Sequence, residues 1–220
     1  MSSELARVGV VAALASLHCV RTRGLRQALL FAMLGLVTAV AGEYGGVNVV
    51  KIVRHHTRPQ VRGIPVPALL SWYAISYAAF DVASAYTRGW VRPVATALLA
   101  TSLDLLLDVY GLGKAMWEWR QDGAYARDIV GPNGRRGIPI GNYIGWLVMT
   151  GGIAAAFVAV TGPAKRLHEG LGGVLLLAYY LPAAAWAVRT GRRRYVGYAA
   201  LVPLSVLGAL VRSARHRPAC

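Results

Sequence analysis

Seven stretches of the chain are nearly free of charge and approach the ~20 apolar residues that a helix needs to cross a bilayer. They run roughly over 5–20, 28–50, 67–86, 90–110, 138–160, 171–188 and 195–211. Glycine and proline recur inside them, which soluble helices resist but membrane helices accommodate when neighbours satisfy the freed backbone groups. The pattern predicts an all-α fold, a polytopic transmembrane helical bundle of about seven helices, built as one integral membrane domain over residues 1–220. The first stretch is the shortest, and six full spans is the alternative. The longest gap, 111–137, holds Gly123, Gly131, Pro132, Asn133, Gly134, Arg135 and Arg136, a run of turn formers and charge. It is expected to be a surface loop able to act as a lid.

Charge adds a partner and an orientation. The formal net charge is +15, from 24 Lys and Arg against 9 acids. The basic residues are short, dispersed clusters in the gaps between apolar stretches, a distribution suited to anionic lipid headgroups and not to nucleic acid. Fourteen of them fall on the amino-terminal side of the bundle and ten on the other. This places the amino terminus in the cytoplasm of a multi-pass cell-membrane protein. Glu4 in the first residues favours an uncleaved first helix over a signal peptide. Cys19 and Cys220 are too few for a disulfide framework or a four-ligand zinc site and are expected to be bystanders. Gly111-Leu112-Gly113-Lys114 lacks the spacing and the strand context of a phosphate loop.

The chemistry lies in acids where acids are expensive. Glu43, Asp81, Asp104 and Asp108 fall inside apolar stretches, where a carboxylate costs about 2.5–3.5 kcal/mol on insertion scales. They must face the bundle interior, either as a functional cluster or as ion pairs that lock helix packing. Asp104 and Asp108 share one helix face, roughly 5–6 Å apart at Cβ, with Thr101 on the same stripe. Two carboxylates that close resist ionising together, which makes a ready general acid. Tyr73, Tyr77 and Asp81 recur at i, i+4 and i+8 beside Trp72; Asn142, Trp146 and Thr150 repeat the spacing on the fifth helix. Gly42/Gly46 and Gly141/Gly145 are small-xxx-small pairs that permit close helix contact. For any single Trp or Tyr, the interfacial aromatic belt is the competing reading. Buried acids, aromatic rings and an apolar surround, without a metal-ligand cluster or cofactor motif, suit acid-catalysed change at an isoprenoid double bond: protonation gives a tertiary cation that ring faces stabilise and water captures.

Gly42-Glu43-Tyr44-Gly45-Gly46, Gly63-Ile64-Pro65-Val66-Pro67, Trp72, Asp108, Gly113, Trp117, Trp119, Gly123, Tyr125 and the block Gly137-Ile138-Pro139-Ile140-Gly141-Asn142-Tyr143-Ile144-Gly145-Trp146 occur in this order over a little more than half the chain. In these residues the chain resembles the membrane carotenoid biosynthesis family that includes bisanhydrobacterioruberin hydratase of archaea and gamma-carotene hydratase of cyanobacteria. Val109 departs from the family's proline after the aspartate, and 126–136 reads as an insertion. The resemblance implies cofactor-free addition of water to terminal double bonds of an acyclic carotenoid, with pathway enzymes as neighbours. The site residues are read from this chain itself. Asp104, Asp108, Glu43 and Asp81 are the candidate catalytic acids, and Trp72, Tyr73, Tyr77, Trp117, Trp119, Tyr125, Asn142, Tyr143 and Trp146 would line the substrate channel, with no metal. Competing readings are a polyprenyltransferase holding magnesium on Asp104-x-x-x-Asp108, which lacks its second acidic motif; an intramembrane aspartyl protease, which lacks Gly-x-Gly-Asp; a proton-coupled transporter, for which no inverted repeat is seen; and a structural subunit.

Overall fold

A computed structural model describes residues 3–162 and 170–215; Cys220 lies outside them. The chain turns at Gly24, whose φ of 82° only glycine adopts without strain, so the first two apolar stretches become separate helices: α1 (Ser3–Arg23) and α2 (Leu25–Tyr44), the latter continued by a π-helical turn, Gly45–Val49. Helix α3 (Val66–Tyr86) begins with Pro67 in its first turn, where a missing N–H is harmless, and α5 (Ile140–Thr161) begins straight after Pro139. Between them lies α4 (Val91–Gly113), and α6 (Leu171–Arg189) follows α5. These six helices are long and apolar enough to span a membrane.

Among the described residues there are eight helices, and the shortfall falls on the last apolar stretch rather than the first. Instead of one helix over 195–211, the chain forms α7 (Arg193–Tyr198) and α8 (Leu201–Arg215), separated by a turn at Ala199 and Ala200. The reason is Pro203. Inside a continuous helix its ring would clash with the preceding turn, whereas in the first turn of a new one it fits. By contrast α1 runs past its apolar stretch at both ends, and at its carboxyl end Arg23 is buried against the bundle.

Helix α3 is the axis of the bundle, and 15 of its residues are buried. It contacts α1, α2, α4 and α6, while α5 packs mainly on α4 and α2. Phe31 of α2 sits at the middle of an aromatic core, with ring centroids 5.5 Å from Tyr77, 5.5 Å from Phe80 and 5.0 Å from Phe157. Helix α8 buries Val202, Val206 and Ala209 and leaves Leu201, Leu204, Leu207 and Leu210 exposed on its outer face.

The segments joining α2 to α3 and α4 to α5 meet at the end of the bundle where α1 begins. Strands β1 (Val53–His55), β2 (Gln60–Val61) and β3 (Ile64–Pro65) come from the first segment. The second supplies β4 (Trp117–Trp119), β5 (Tyr125–Val130) and β6 (Arg136–Ile138). β2 and β3 form a small hairpin and β5 pairs with β6, but β1 pairs antiparallel with β4, Val53 opposite Trp119 and His55 opposite Trp117. The expected loop at 111–137 is therefore partly helical, partly strand, and hydrogen-bonded to its counterpart. On its outer side Tyr195 and Arg194 of α7 both bind the Asp128 carboxylate, Arg194 Nη2 at 2.6 Å from Oδ1.

Candidate functional site

The rigid face that α4 and α5 share positions the centre of the site. Asp104 and Asp108, one helical turn apart on α4, are both buried. From α5 the Asn142 side-chain amide reaches across and donates to both, 2.9 Å to Asp104 Oδ2 and 2.6 Å to Asp108 Oδ2. A single amide bridging two carboxyls fixes their separation and orientation more firmly than helix geometry alone.

A third acid lies nearby on α2. Glu43 Oε1 accepts a hydrogen bond from Trp72 Nε1 at 3.0 Å, and Oε2 meets His55 Nε2 at 2.8 Å. The Trp72 ring in turn stacks on Trp146, with centroids 3.7 Å apart and planes 7° from parallel. Helices α2, α3 and α5 are thus tied through one acid and two indoles. Trp117 completes the enclosure from β4: it meets His55 edge to face at 6.1 Å, and its ring lies on Gly111, where any side chain would collide with it.

These groups surround one cavity of about 310 Å³, at the lower end of the range for small-molecule sites. Glu43, Trp72, Asp104, Asp108, Trp117, Trp119, Asn142 and Trp146 all line it. The two glycine pairs line it as well. A Cβ on Gly141 or Gly145 would meet nothing within 4 Å, so on α5 they make room beside the cavity rather than close a helix contact.

Five of the residues expected at the site lie elsewhere. Asp81 is about nine residues, or roughly 13 Å of helix rise, from Trp72 along α3. Its Oδ1 is 3.8 Å from Arg23 Nη2, both side chains are fully buried, and the guanidiniums of Arg23 and Arg92 flank the Phe80 ring at 5.0 and 5.4 Å. This charge cluster lies at the opposite end of the bundle from the cavity, in an arrangement suited to locking helix packing. Tyr73 and Tyr77 point at α1, bonded to Ser16 Oγ at 3.0 Å and His18 Nδ1 at 2.7 Å. They belong to the aromatic core because the stripe they form lies about 100° around the helix from Trp72. Tyr125 and Tyr143 form a wall behind the acid pair, edge to face at 5.2 Å, with the Tyr125 hydroxyl donating to the Leu105 carbonyl at 3.0 Å.

His55 is the group that sequence reasoning missed. It lies in a polar segment, and only the β1–β4 pairing turns it toward Glu43. The available signal was a His-His pair directly after the span that carries an intramembrane acid. Among the described residues no group of three or more His, Cys, Asp or Glu side chains is placed to hold a metal ion.

A family model described as carotenoid biosynthesis protein matches residues 5–202, nearly the whole chain and every element that builds the cavity. The chain belongs to this carotenoid biosynthesis family. No curated protein and no solved structure matches it. As a family member with six helices long and apolar enough to cross a membrane, it is a multi-pass membrane protein of the carotenoid pathway.

Proposed function

We propose that the protein adds water to the terminal isoprenoid double bonds of an acyclic carotenoid, as a hydratase of the bisanhydrobacterioruberin type. The reading rests on one observation above all: two buried carboxyls, bridged by Asn142, open onto a tryptophan-lined cavity among lipid-facing helices. The cavity suits one end of a polyene, with the remainder of the chain lying in the bilayer. The glycine-lined side between α2 and α5, two helices with much lipid-facing surface, is the access route.

The protonated member of the Asp104–Asp108 pair gives its proton to the less substituted alkene carbon. The π electrons form the new C–H bond and leave a tertiary cation. Trp72, Trp146 and Trp117 present ring faces or edges around this position, and the indole quadrupole stabilises positive charge held over a ring face. Water attacks the cation through an oxygen lone pair, forming the C–O bond, and its surplus proton passes to a carboxylate. Glu43 takes that proton, with His55 behind it as the exchange partner toward the aqueous side. One hydrogen and one hydroxyl are added, no electrons are gained or lost, and a tertiary alcohol results.

The test is expression in a host that makes acyclic carotenoids, with mass spectrometry of the pigments. Products heavier by one or two waters are expected, reduced about 10²–10⁴-fold by Asp104→Asn or Asp108→Asn. Unchanged pigments from a folded, membrane-inserted protein would sink the reading, as would a fully active Asp108→Asn enzyme.

A further inference from the structure

On the far side of β1 from the acid cavity lies a second, polar one of about 470 Å³. Lys51, Arg54, Arg58, Arg62 and Arg120 line it together with His56, and its lining carries no carboxylate. The fold gathers these cations deliberately. Four come from a single segment of twelve residues, curled back by the β2–β3 hairpin. Gln60 Nε2 donates to the carbonyls of His55 and Thr57 at 2.9 and 2.8 Å, and Asn48 Nδ2 to that of Arg62 at 3.3 Å. Arg120 arrives from the other segment, its backbone N–H donating to the Ile52 carbonyl at 2.9 Å. The neighbouring acid Glu118, opposite Arg54 across the β1–β4 ladder, serves Arg54 at 3.8 Å and His56 at 3.3 Å.

Like charges so concentrated repel one another, and a concave basic surface raises the local concentration of anions. Arginine forks match the paired oxygens of a phosphate. The cavity follows directly on the candidate span that ends at Val49, where a chain leaving the hydrocarbon would enter the headgroup region. We infer that it is a phosphate-binding site. Either an anionic phospholipid headgroup or a phosphate carried by a soluble molecule supplies the ligand. Val53 and His55 line both cavities, so a phosphate bound here sits back to back with the acid site. The inference does not depend on which reaction that site performs.

The full chain would be placed in nanodiscs of phosphatidylcholine with or without phosphatidylglycerol. Lys51→Gln/Arg62→Gln/Arg120→Gln removes three cavity charges. Arg127→Gln/Arg135→Gln/Arg136→Gln removes the same number from the same end of the bundle, outside the cavity. Native mass spectrometry reads retained phosphatidylglycerol, and thermal melting in phosphatidylcholine discs reads the effect of inorganic pyrophosphate. If the ligand is a headgroup, the wild type and the outer triple variant retain phosphatidylglycerol, and the cavity variant retains at least about tenfold less. If it is a soluble phosphate, pyrophosphate raises the melting temperature of the first two and not of the cavity variant. Should the cavity triple not fold, Arg62→Gln alone is read in the same way. Equal losses in both triples, or no ligand that distinguishes the wild type from the cavity variant, would overturn the site.

Discussion

Two aspartates that a hydropathy plot treats alike have opposite surroundings. Asp108 shares an amide with a second carboxyl at the wall of a cavity, whereas Asp81 faces Arg23 with no exposure on either side chain. Asp81→Asn leaves the buried cations around Phe80 without their carboxylate, a change that typically costs about 3–5 kcal/mol. A marked fall in melting temperature in detergent is expected, with hydration per folded molecule retained. Asp108→Asn should do the reverse. If Asp81→Asn instead abolished product at unchanged stability, the assignment of Asp81 as a packing lock would fail. These fates were only half legible in the sequence. Rarity in apolar surroundings marked Glu43, Asp81, Asp104 and Asp108 alike and could not set Asp81 apart. The i, i+4 stripe of Tyr73, Tyr77 and Asp81 is real too, but periodicity finds a face without saying what it faces, and Trp72, one residue away, is the one turned to the cavity.

At the scale of elements, the helices could be read from composition and the strands could not. Five of the six strands are two or three residues long, too short to show alternation, the six-residue β5 does not alternate in burial, and β1–β4 joins segments some sixty residues apart. That pairing places His55 on Glu43 and Trp117 over Gly111, so the site's missed member and its cover share one cause. The break at Pro203 was visible as a residue but masked by the unbroken apolar run around it. Helix α5 supplies a direct test of the access route. Gly145→Leu puts a branched side chain where a Cβ meets nothing within 4 Å beside the cavity. Overpacking elsewhere in a core costs ~1–3 kcal/mol; here the melting temperature should barely move while hydration falls about tenfold or more. Full activity of a folded Gly145→Leu protein would show that the substrate does not pass that side.

Across the whole molecule, the far edge of the cover is fastened by an ion pair outside the spans. Burial alone would raise the Asp128 carboxyl, but hydrogen bonds from Tyr195 and its own backbone N–H, with Arg194 beside it, hold it below its ordinary value of 3.8. A group depressed on folding stabilises the fold at pH above its unfolded value and loses that contribution as pH falls through the folded one. The fastening is therefore complete at neutral pH and weakens only below about 3.8. Because both partners are partly exposed, Asp128→Asn should cost no more than about 1 kcal/mol. It should speed amide hydrogen exchange in 125–138 at pH 7, and the difference from the wild type should vanish in strong acid.

On the proposed access route the polyene enters between α2 and α5 from the bilayer, and β1 and β4 roof the other end of the acid cavity. An isoprenoid using that route never leaves two dimensions, so the concentration the protein responds to is a mole fraction in the bilayer. Diluting a fixed amount of pigment and protein with inert lipid should slow the reaction in proportion below saturation, and adding buffer should leave it unchanged. Rates measured in vesicles would test this directly: dependence on bulk volume rather than on lipid would mean that the polyene arrives through the roof.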